Sequence, residues 1–127
     1  MLADSKALSS FAVDDLSTAK TFYGETLGLQ VSDVDEEMGL LALHVADARD
    51  VMVYAKPDYT PAAFTVLNFP VEDIDTAVDE LTGRGVAFAR YPGFEQDEKG
   101  ISRGGSGPQI AWFTDPAGNI LSVLQQV

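Results

Sequence analysis

The sequence VDDLSTA at residues 13–19 returns as VEDIDTA at residues 71–77, with four of the seven positions identical and an offset of 58 residues. A period of that length corresponds to one supersecondary unit rather than to a coiled-coil or low-complexity repeat. An apolar, strand-like run precedes each copy, and a helical run follows that ends at Gly28 or Gly85. The chain is therefore predicted to consist of two similar modules, with its binding site between them.

Each copy of the motif predicts the start of a helix. Asp15 and Asp73 stand at the N-cap, where a carboxylate accepts hydrogen bonds from the free N–H groups of the first turn. Apolar residues then recur at spacings of three and four, the pattern of a helix that lies on a sheet. The two apolar stripes are Leu16, Ala19, Tyr23 and Leu27, and Ile74, Ala77, Val78 and Leu81.

One β-prone run before each helix and three after it predict an α+β fold, two tandem β-α-β-β-β modules forming a cupped mixed sheet. The predicted strands are Leu8–Val13, Gln30–Val34, Leu40–Val45 and Val51–Ala55, and Phe64–Val71, Val86–Arg90, Ile110–Thr114 and Asn119–Gln125. Because 127 residues support one compact core, a single domain over residues 1–127 is expected. Module one covers about 7–55, a linker 56–63, and module two about 64–127.

Composition excludes several classes of function. The formal charge is −12, from 20 acidic and 8 basic residues, so a nucleic acid or an anionic membrane would be repelled. The absence of cysteine removes disulfides, thiolate catalysis and thiolate metal ligands. No apolar run approaches the ~20 residues of a membrane span, and the N-terminal residues lack the pattern of a signal peptide. A cytoplasmic protein without nucleic-acid or membrane partners is expected.

The segment Tyr91–Pro108 breaks the symmetry of the modules, since it carries five glycines and no periodicity. A loop of that length in a small domain is typically functional or mobile. We expect it to be the most mobile ordered segment. Two hypotheses for this segment remain. It is either a lid that brings Phe94 and Glu95 to a ligand, or a loop whose charged residues are solvated.

Several motifs together resemble the vicinal oxygen chelate superfamily, which contains glyoxalase I, extradiol dioxygenases, fosfomycin-resistance enzymes and bleomycin-binding proteins. They are the paired modules, the Asp15-Leu16 helix start, Phe22-Tyr23 followed by Leu27-Gly28-Leu29, and the turn Asp115-Pro116-Ala117-Gly118-Asn119. The resemblance covers nearly the whole chain. It implies a fold rather than one activity, since this scaffold hosts metal-dependent enzymes beside metal-free binding proteins.

The resemblance also implies four metal-ligand positions, on the first and last strands of both modules. They fall at Leu8, Val53, Val66 and Ser122. Three are aliphatic and the fourth offers one neutral oxygen, whereas a divalent cation needs converging carboxylate or imidazole groups. No metal and no other cofactor are therefore expected.

Each candidate functional residue allows more than one interpretation of its role. His44, the single histidine, is either a general base or ligand contact, or a partly exposed strand residue. Asn68 either orients a ligand or bonds to neighbouring backbone. Ser10 is its repeat mate, and the pair suggests a polar strip across the otherwise apolar cup. Trp112 is either a stacking platform or a core anchor, because alternation does not decide which of Trp112 and Phe113 faces the cup.

The function expected from these observations is metal-independent binding of a small, fairly apolar molecule in the cup between the modules. The ligand-binding residues would be Leu8, Ser10, Ala12, Val53, Val66, Asn68, Phe94, Trp112 and Ser122. The alternative is a lyase or dioxygenase, either metal-dependent or using His44 or Glu95 for acid-base catalysis. A third class, a structural or interaction module, would need an exposed apolar stripe. We also expect a homodimer, and the modules could pair within one chain or across the dimer.

Overall fold

The computed structural model describes residues 1–47, 49–105 and 107–125. Ser106 of the predicted loop thus lies outside the described residues. The chain divides into two compact units, Met1–Pro61 and Ala62–Val127. The elements of the first unit are β1 (Ser10–Val13), α1 (Leu16–Thr21), β2 (Gln30–Asp35), β3 (Leu40–His44) and β4 (Val51–Ala55). Those of the second are β5 (Thr65–Pro70), α2 (Ile74–Gly83), β6 (Phe88–Ala89), β7 (Gln109–Thr114) and β8 (Ile120–Gln125).

The first unit is a four-stranded mixed sheet in the order β1-β4-β3-β2, with β1 parallel to β4 and the other pairs antiparallel. Phe11 pairs with Val53, and Val53 with Leu41, so these side chains share one face. The rings of Phe11 and Tyr23 are 5.8 Å apart, so this is the face that the helical segment covers. The opposite face, which we call the helix-free face, begins with Ser10 and Ala12.

The second unit repeats this arrangement in the order β5-β8-β7-β6, with β5 parallel to β8. The backbone N–H of Ile74 donates to Oε1 of Gln125 at 2.8 Å, which places the start of α2 on the face that Gln125 shares with Leu121 and Val123. Both of these residues are buried. The helix-free face of this unit therefore carries the alternate residues of β8, including Ser122.

Both predicted N-caps are confirmed. Oδ1 of Asp15 accepts from the N–H groups of Ser17 and Thr18, and Oδ1 of Asp73 accepts from that of Thr76. The first helix differs from the expectation in one respect, because after Thr21 it widens into a π-helical turn over Phe22–Thr26. The N–H of Leu27 bonds to the carbonyl of Phe22 there. Gly28 then takes the positive φ of 78° that ends the segment.

The predicted fold class, α+β with tandem β-α-β-β-β modules, is confirmed by these two mixed sheets. The largest difference in bounds is β6, which was predicted as Val86–Arg90 and extends only over Phe88–Ala89. Val86 is used elsewhere, because its N–H bonds to the carbonyl of Leu81 and closes the end of α2. In the part of the chain that the structure describes, no helix has the length and apolarity needed to span a membrane.

Candidate functional site

A polar pair lies on the helix-free face of the second unit. Ser122 of β8 is paired with Asn68 of β5 on one side and with Trp112 of β7 on the other. The Ser122 hydroxyl is buried and donates to Oδ1 of Asn68 at 2.5 Å. Within the described residues, the Asn68 amide nitrogen makes no hydrogen bond, and Asn68 is exposed. The pair therefore presents an oriented N–H donor to solvent.

An aromatic cluster adjoins this pair. The rings of Tyr91 and Phe94 lie 5.6 Å and 4.8 Å from that of Trp112, Tyr91 edge-on and Phe94 tilted. Trp112 is only 9% exposed, whereas Phe94 is 54% exposed. Neighbouring Phe113 points to the other face, where its ring meets that of Phe88 at 5.5 Å. Trp112 thus faces the helix-free side, and Phe94 supplies the accessible apolar surface of the cluster.

The loop that carries Phe94 is tied to the second unit by Gln96. Nε2 of Gln96 donates to the carbonyls of Ala89 and Gly100, at 2.9 and 2.8 Å, and Oε1 accepts from the N–H of Tyr91 at 2.9 Å. Gly100 has a φ of 89°, and a Cβ there would lie 3.1 Å from that of Phe88. The segment expected to be loose is therefore held by specific bonds on both sides of Phe94.

Charged groups join the same loop to α2. Arg103 donates to Asp75 at 2.6 Å and to Asp97 at 3.0 Å, and Lys99 donates to Asp79 at 3.0 Å. The hydrogen bond from Arg103 holds the pKa of Asp75 below its ordinary value. Desolvation raises the pKa of Asp97, but hydrogen bonds from the Ile101 N–H and from Arg103 outweigh it, so this pKa is also lowered. The cationic groups of the loop are therefore committed to protein carboxylates.

An open cavity of about 670 Å³ lies on the loop, lined in part by Tyr91, Phe94 and Glu95. Arg90 also lines it, but its guanidinium donates to the carbonyls of Asp97 and Glu98, at 2.6 and 3.0 Å. The volume of the cavity is in the range of small-molecule sites. Aromatic surface borders it, and its arginines are engaged within the protein, so it favours an uncharged ligand over an anion.

The first unit brings only some of the expected binding residues together. Ser10 and Ala12 share the helix-free face of β1, where their partners on β4 are Met52 and Tyr54. Leu8 is exposed and precedes the strand. Val53 lies on the opposite, helix-covered face and is fully buried, because the register pairs it with Phe11.

Val66 lies where the register shifts between Thr65 and Leu67 in β5. A bulge interrupts alternation, so Val66 does not follow the face assignment that alternation from Asn68 gives.

His44 is the middle member of a hydrogen-bonded row of three side chains on the first unit, Ser32, His44 and Asp50. Its Nε2 is 2.7 Å from Oγ of Ser32, and its Nδ1 is 2.9 Å from Oδ1 of Asp50. Glu95, the other candidate for acid-base chemistry, is exposed on the loop and makes no hydrogen bond or ion pair within the described residues. Of these two candidates, His44 alone has hydrogen-bonding partners that could orient its proton.

The four metal-ligand positions do not provide a donor set. Leu8, Val53 and Val66 are hydrocarbon side chains, and the hydroxyl of Ser122 already donates to Asn68. Among residues 1–47, 49–105 and 107–125, no group of three or more His, Asp or Glu side chains is placed to hold a metal ion. The residues at these positions therefore do not fit a divalent cation.

Three of the residues described above were not among the sequence candidates. Tyr91 lies in an aperiodic loop. Ser32 is an exposed residue of β2 and Asp50 a half-buried residue just before β4, and neither belongs to a motif. The spacing of His44 and Asp50 around a predicted hairpin was the only available signal for that row. The contacts depend on cross-strand register, which one sequence does not show.

Comparison with known proteins gives both a family and structural relatives. The sequence profile of the Glyoxalase/Bleomycin resistance protein/Dioxygenase superfamily matches residues 7–123. TnmS3, an antibiotic binding protein from a Streptomyces species, has a similar structure, with a TM-score of 0.69 and 25% identity over 98% of each chain. A superfamily member from Sphaerobacter thermophilus gives 0.68 and 24% over 99% of this chain and 100% of its own.

A glyoxalase family protein from Enterococcus faecalis gives a TM-score of 0.67 and 18% identity over 98% of this chain and 99% of its own. A comparison with curated proteins finds no significant match. The profile match spans most of the chain, and the tandem modules agree with it. The chain therefore belongs to the Glyoxalase/Bleomycin resistance protein/Dioxygenase superfamily.

Proposed function

We propose that this protein binds a small, uncharged and fairly apolar molecule on the helix-free face of the second unit, without a metal. The observation that carries the proposal is the aromatic cluster of Tyr91, Phe94 and Trp112 beside the Asn68–Ser122 pair. Apolar contact area with a few oriented polar groups is the usual composition of a small-molecule site.

The aromatic cluster supplies the apolar contact. Phe94 presents a half-exposed ring, and Trp112 supports it from behind at 4.8 Å. A supported ring keeps its orientation and loses little entropy when a flat ligand stacks on it. Such an aromatic contact contributes about 0.5–1.5 kcal/mol beyond the buried area.

The polar pair sets the length and orientation of the ligand. Asn68 lies two strands away from Trp112, across Ser122, and two strand spacings amount to about 10 Å. A molecule of two or three fused rings spans this distance. An acceptor at its far end, such as a carbonyl oxygen, would receive the hydrogen bond from the Asn68 amide.

Two further points support binding of an uncharged molecule without a metal. The net charge of −12 disfavours an anion, and the residues at the expected ligand positions do not fit a divalent cation. TnmS3, which is 25% identical, is an antibiotic binding protein. A drug-like polycyclic compound is therefore the ligand class that we propose.

The proposal includes two properties of the protein in the cell, a cytoplasmic location and a homodimeric state. The outer strand β2 and the two-residue strand β6 each leave an unpaired edge within their own sheet. Association of two copies would cover such edges.

The test uses Trp112, which is the only tryptophan. Chelator-treated protein is titrated with a panel of flat polycyclic compounds, and binding is followed by tryptophan fluorescence and by thermal shift. Phe94→Ala should weaken the Kd of a hit by about threefold to tenfold, the equivalent of one lost aromatic contact. Asn68→Ala should weaken it only for ligands that carry an acceptor.

Phe64→Ala serves as the control, because Phe64 is also an exposed phenylalanine of the second unit, at 69% against 54% for Phe94, but makes no ring contact with Trp112. It should leave the Kd unchanged. Equal weakening by Phe94→Ala and Phe64→Ala, or binding only after a metal is added, would contradict the proposal.

A further inference from the structure

The first unit contains a row of serine, histidine and aspartate that the proposed binding function does not use. Ser32 lies in β2, His44 ends β3, and Asp50 stands just before β4. The antiparallel register brings them together, since Gln30 pairs with His44 and Leu43 with Val51. Ser32 is then the diagonal neighbour of His44, and Asp50 lies beside His44, one residue before β4 begins. Sheet geometry thus fixes the row, rather than a chance contact of mobile side chains.

The hydrogen bonds define which group carries which proton. A carboxylate can only accept, so Nδ1 of His44, 2.9 Å from Asp50, is the protonated nitrogen. In the neutral imidazole, Nε2 is then the acceptor for the hydroxyl proton of Ser32 at 2.7 Å. The remaining lone pairs of the Ser32 oxygen are free to attack. Nucleophile, base and orienting carboxylate are thus in the order that nucleophilic serine catalysis requires.

The row is also accessible. The His44 and Asp50 side chains are 37% and 44% exposed, and Ser32 is exposed. On the same face Ser32 is followed by Ala42, which is buried, and by half-buried Met52 in the cross-strand register, so Met52 is the accessible apolar contact for a small acyl or aryl group. Because β2 is the outer strand of its sheet, alternate backbone N–H groups of β2 point away from β3. In the site proposed below, these N–H groups would donate to the charge that develops on a carbonyl oxygen at Ser32.

We propose that Ser32, His44 and Asp50 form an acyl-transfer site that hydrolyses small, uncharged activated esters. Oγ of Ser32 forms a bond to the acyl carbon, and its proton passes to Nε2 of His44. The bond from the acyl carbon to the leaving oxygen breaks, and that oxygen takes the proton from Nε2. Water then repeats the sequence, so that a carboxylic acid is released and the serine hydroxyl is restored. No oxidant, reductant or metal enters the balance.

The experiment measures covalent labelling and turnover on the intact protein. A fluorophosphonate should label Ser32, located by peptide mass spectrometry, and p-nitrophenyl acetate should be hydrolysed. Ser32→Ala should abolish both signals. His44→Ala should slow them by on the order of 100-fold and Asp50→Asn by at least about tenfold, the range for lost general-base assistance.

Ser17→Ala is the matched control, since Ser17 is an exposed serine whose hydroxyl makes no hydrogen bond in the described structure. It should leave both signals unchanged. Labelling spread over several serines, or hydrolysis that survives Ser32→Ala but is lost in His44→Ala, would overturn the proposal, because the imidazole would then act alone. Circular dichroism of each variant establishes that it is folded, and Ser32→Ala decides the question if His44→Ala unfolds.

Discussion

Replacing Gln96 by alanine separates the two roles that the loop could have, a structural strap or a ligand lid. The side chain makes three hydrogen bonds, to Tyr91 N–H and to the carbonyls of Ala89 and Gly100, all between 2.8 and 2.9 Å. Each bond is part-buried, so the substitution removes the bonds and leaves their backbone partners incompletely paired.

The expected loss of stability follows from these three bonds. At about 1 kcal/mol for each, Gln96→Ala should lower the free energy of unfolding by about 2–4 kcal/mol. Urea denaturation followed by Trp112 fluorescence measures it, because the only tryptophan packs against Tyr91 and Phe94. Gln30→Ala is the control, since the Gln30 side chain makes no hydrogen bond in the described structure, and it should change stability by less than about 0.5 kcal/mol.

If Gln96→Ala also changed the free energy of unfolding by less than about 0.5 kcal/mol, this reasoning would be refuted, because interactions other than those of Gln96 would then hold the loop. A large loss of stability in Gln96→Ala together with a smaller one in Phe94→Ala, about 0.5–1.5 kcal/mol for its ring contact with Trp112, is the pattern that we expect. Gln96 bonds to the loop backbone on both sides of Phe94, whereas Phe94 is the residue that we propose to contact the ligand.

Three other predictions concern charge, metal and assembly. Because Arg103 lowers the pKa of Asp75 in the fold, the ionised Asp75 side chain stabilises the protein above its ordinary pKa of about 4, and this stabilisation is lost as the pH falls below that value. The difference in melting temperature between wild type and Asp75→Asn should therefore shrink below about pH 4. A Glu72→Gln control should show no such trend. Protein purified without chelator should contain no stoichiometric divalent metal and gain no thermal stability from Zn²⁺, Ni²⁺, Mn²⁺ or Fe²⁺, and one equivalent of bound metal with a raised melting temperature would contradict this. Light scattering at micromolar concentration should give the mass of a homodimer, and the 13.6 kDa mass of one chain would count against it.

The repeated motif predicts the fold because its capping and apolar residues determine where each helix begins and which side of it is buried. Asp15 and Asp73 are the capping residues of the two copies, and the apolar stripes that follow them, between β-prone runs, predict helices that lie on a sheet. Local signals of this kind depend on a few adjacent residues, and the structure confirms both caps.

Side-chain placement was harder to predict because it depends on register. Val53 was grouped with Ser10 and Ala12, but its pairing with Phe11 puts it on the other face. The shift between Thr65 and Leu67 likewise removes Val66 from simple alternation with Asn68. A displacement of one residue exchanges the two faces of a strand, and single-sequence reasoning does not reach that precision.

The same limit explains why the row at His44 was incomplete in the sequence. His44 itself is a candidate from the sequence, but its partners come from β2 and from the residue before β4, at separations of 12 and 6 residues. Neither Ser32 nor Asp50 belongs to a recognisable motif. Only the assembled sheet shows that the three side chains are joined.

The most direct test of the central claim is a fluorescence titration of metal-depleted protein with one polycyclic hit, in wild type and in Phe94→Ala. The account predicts saturable binding with one equivalent of ligand in the presence of chelator, and a Kd about threefold to tenfold weaker in Phe94→Ala. Binding that vanishes with chelator, or that is equally tight in both proteins, would contradict metal-free binding at the Trp112 face.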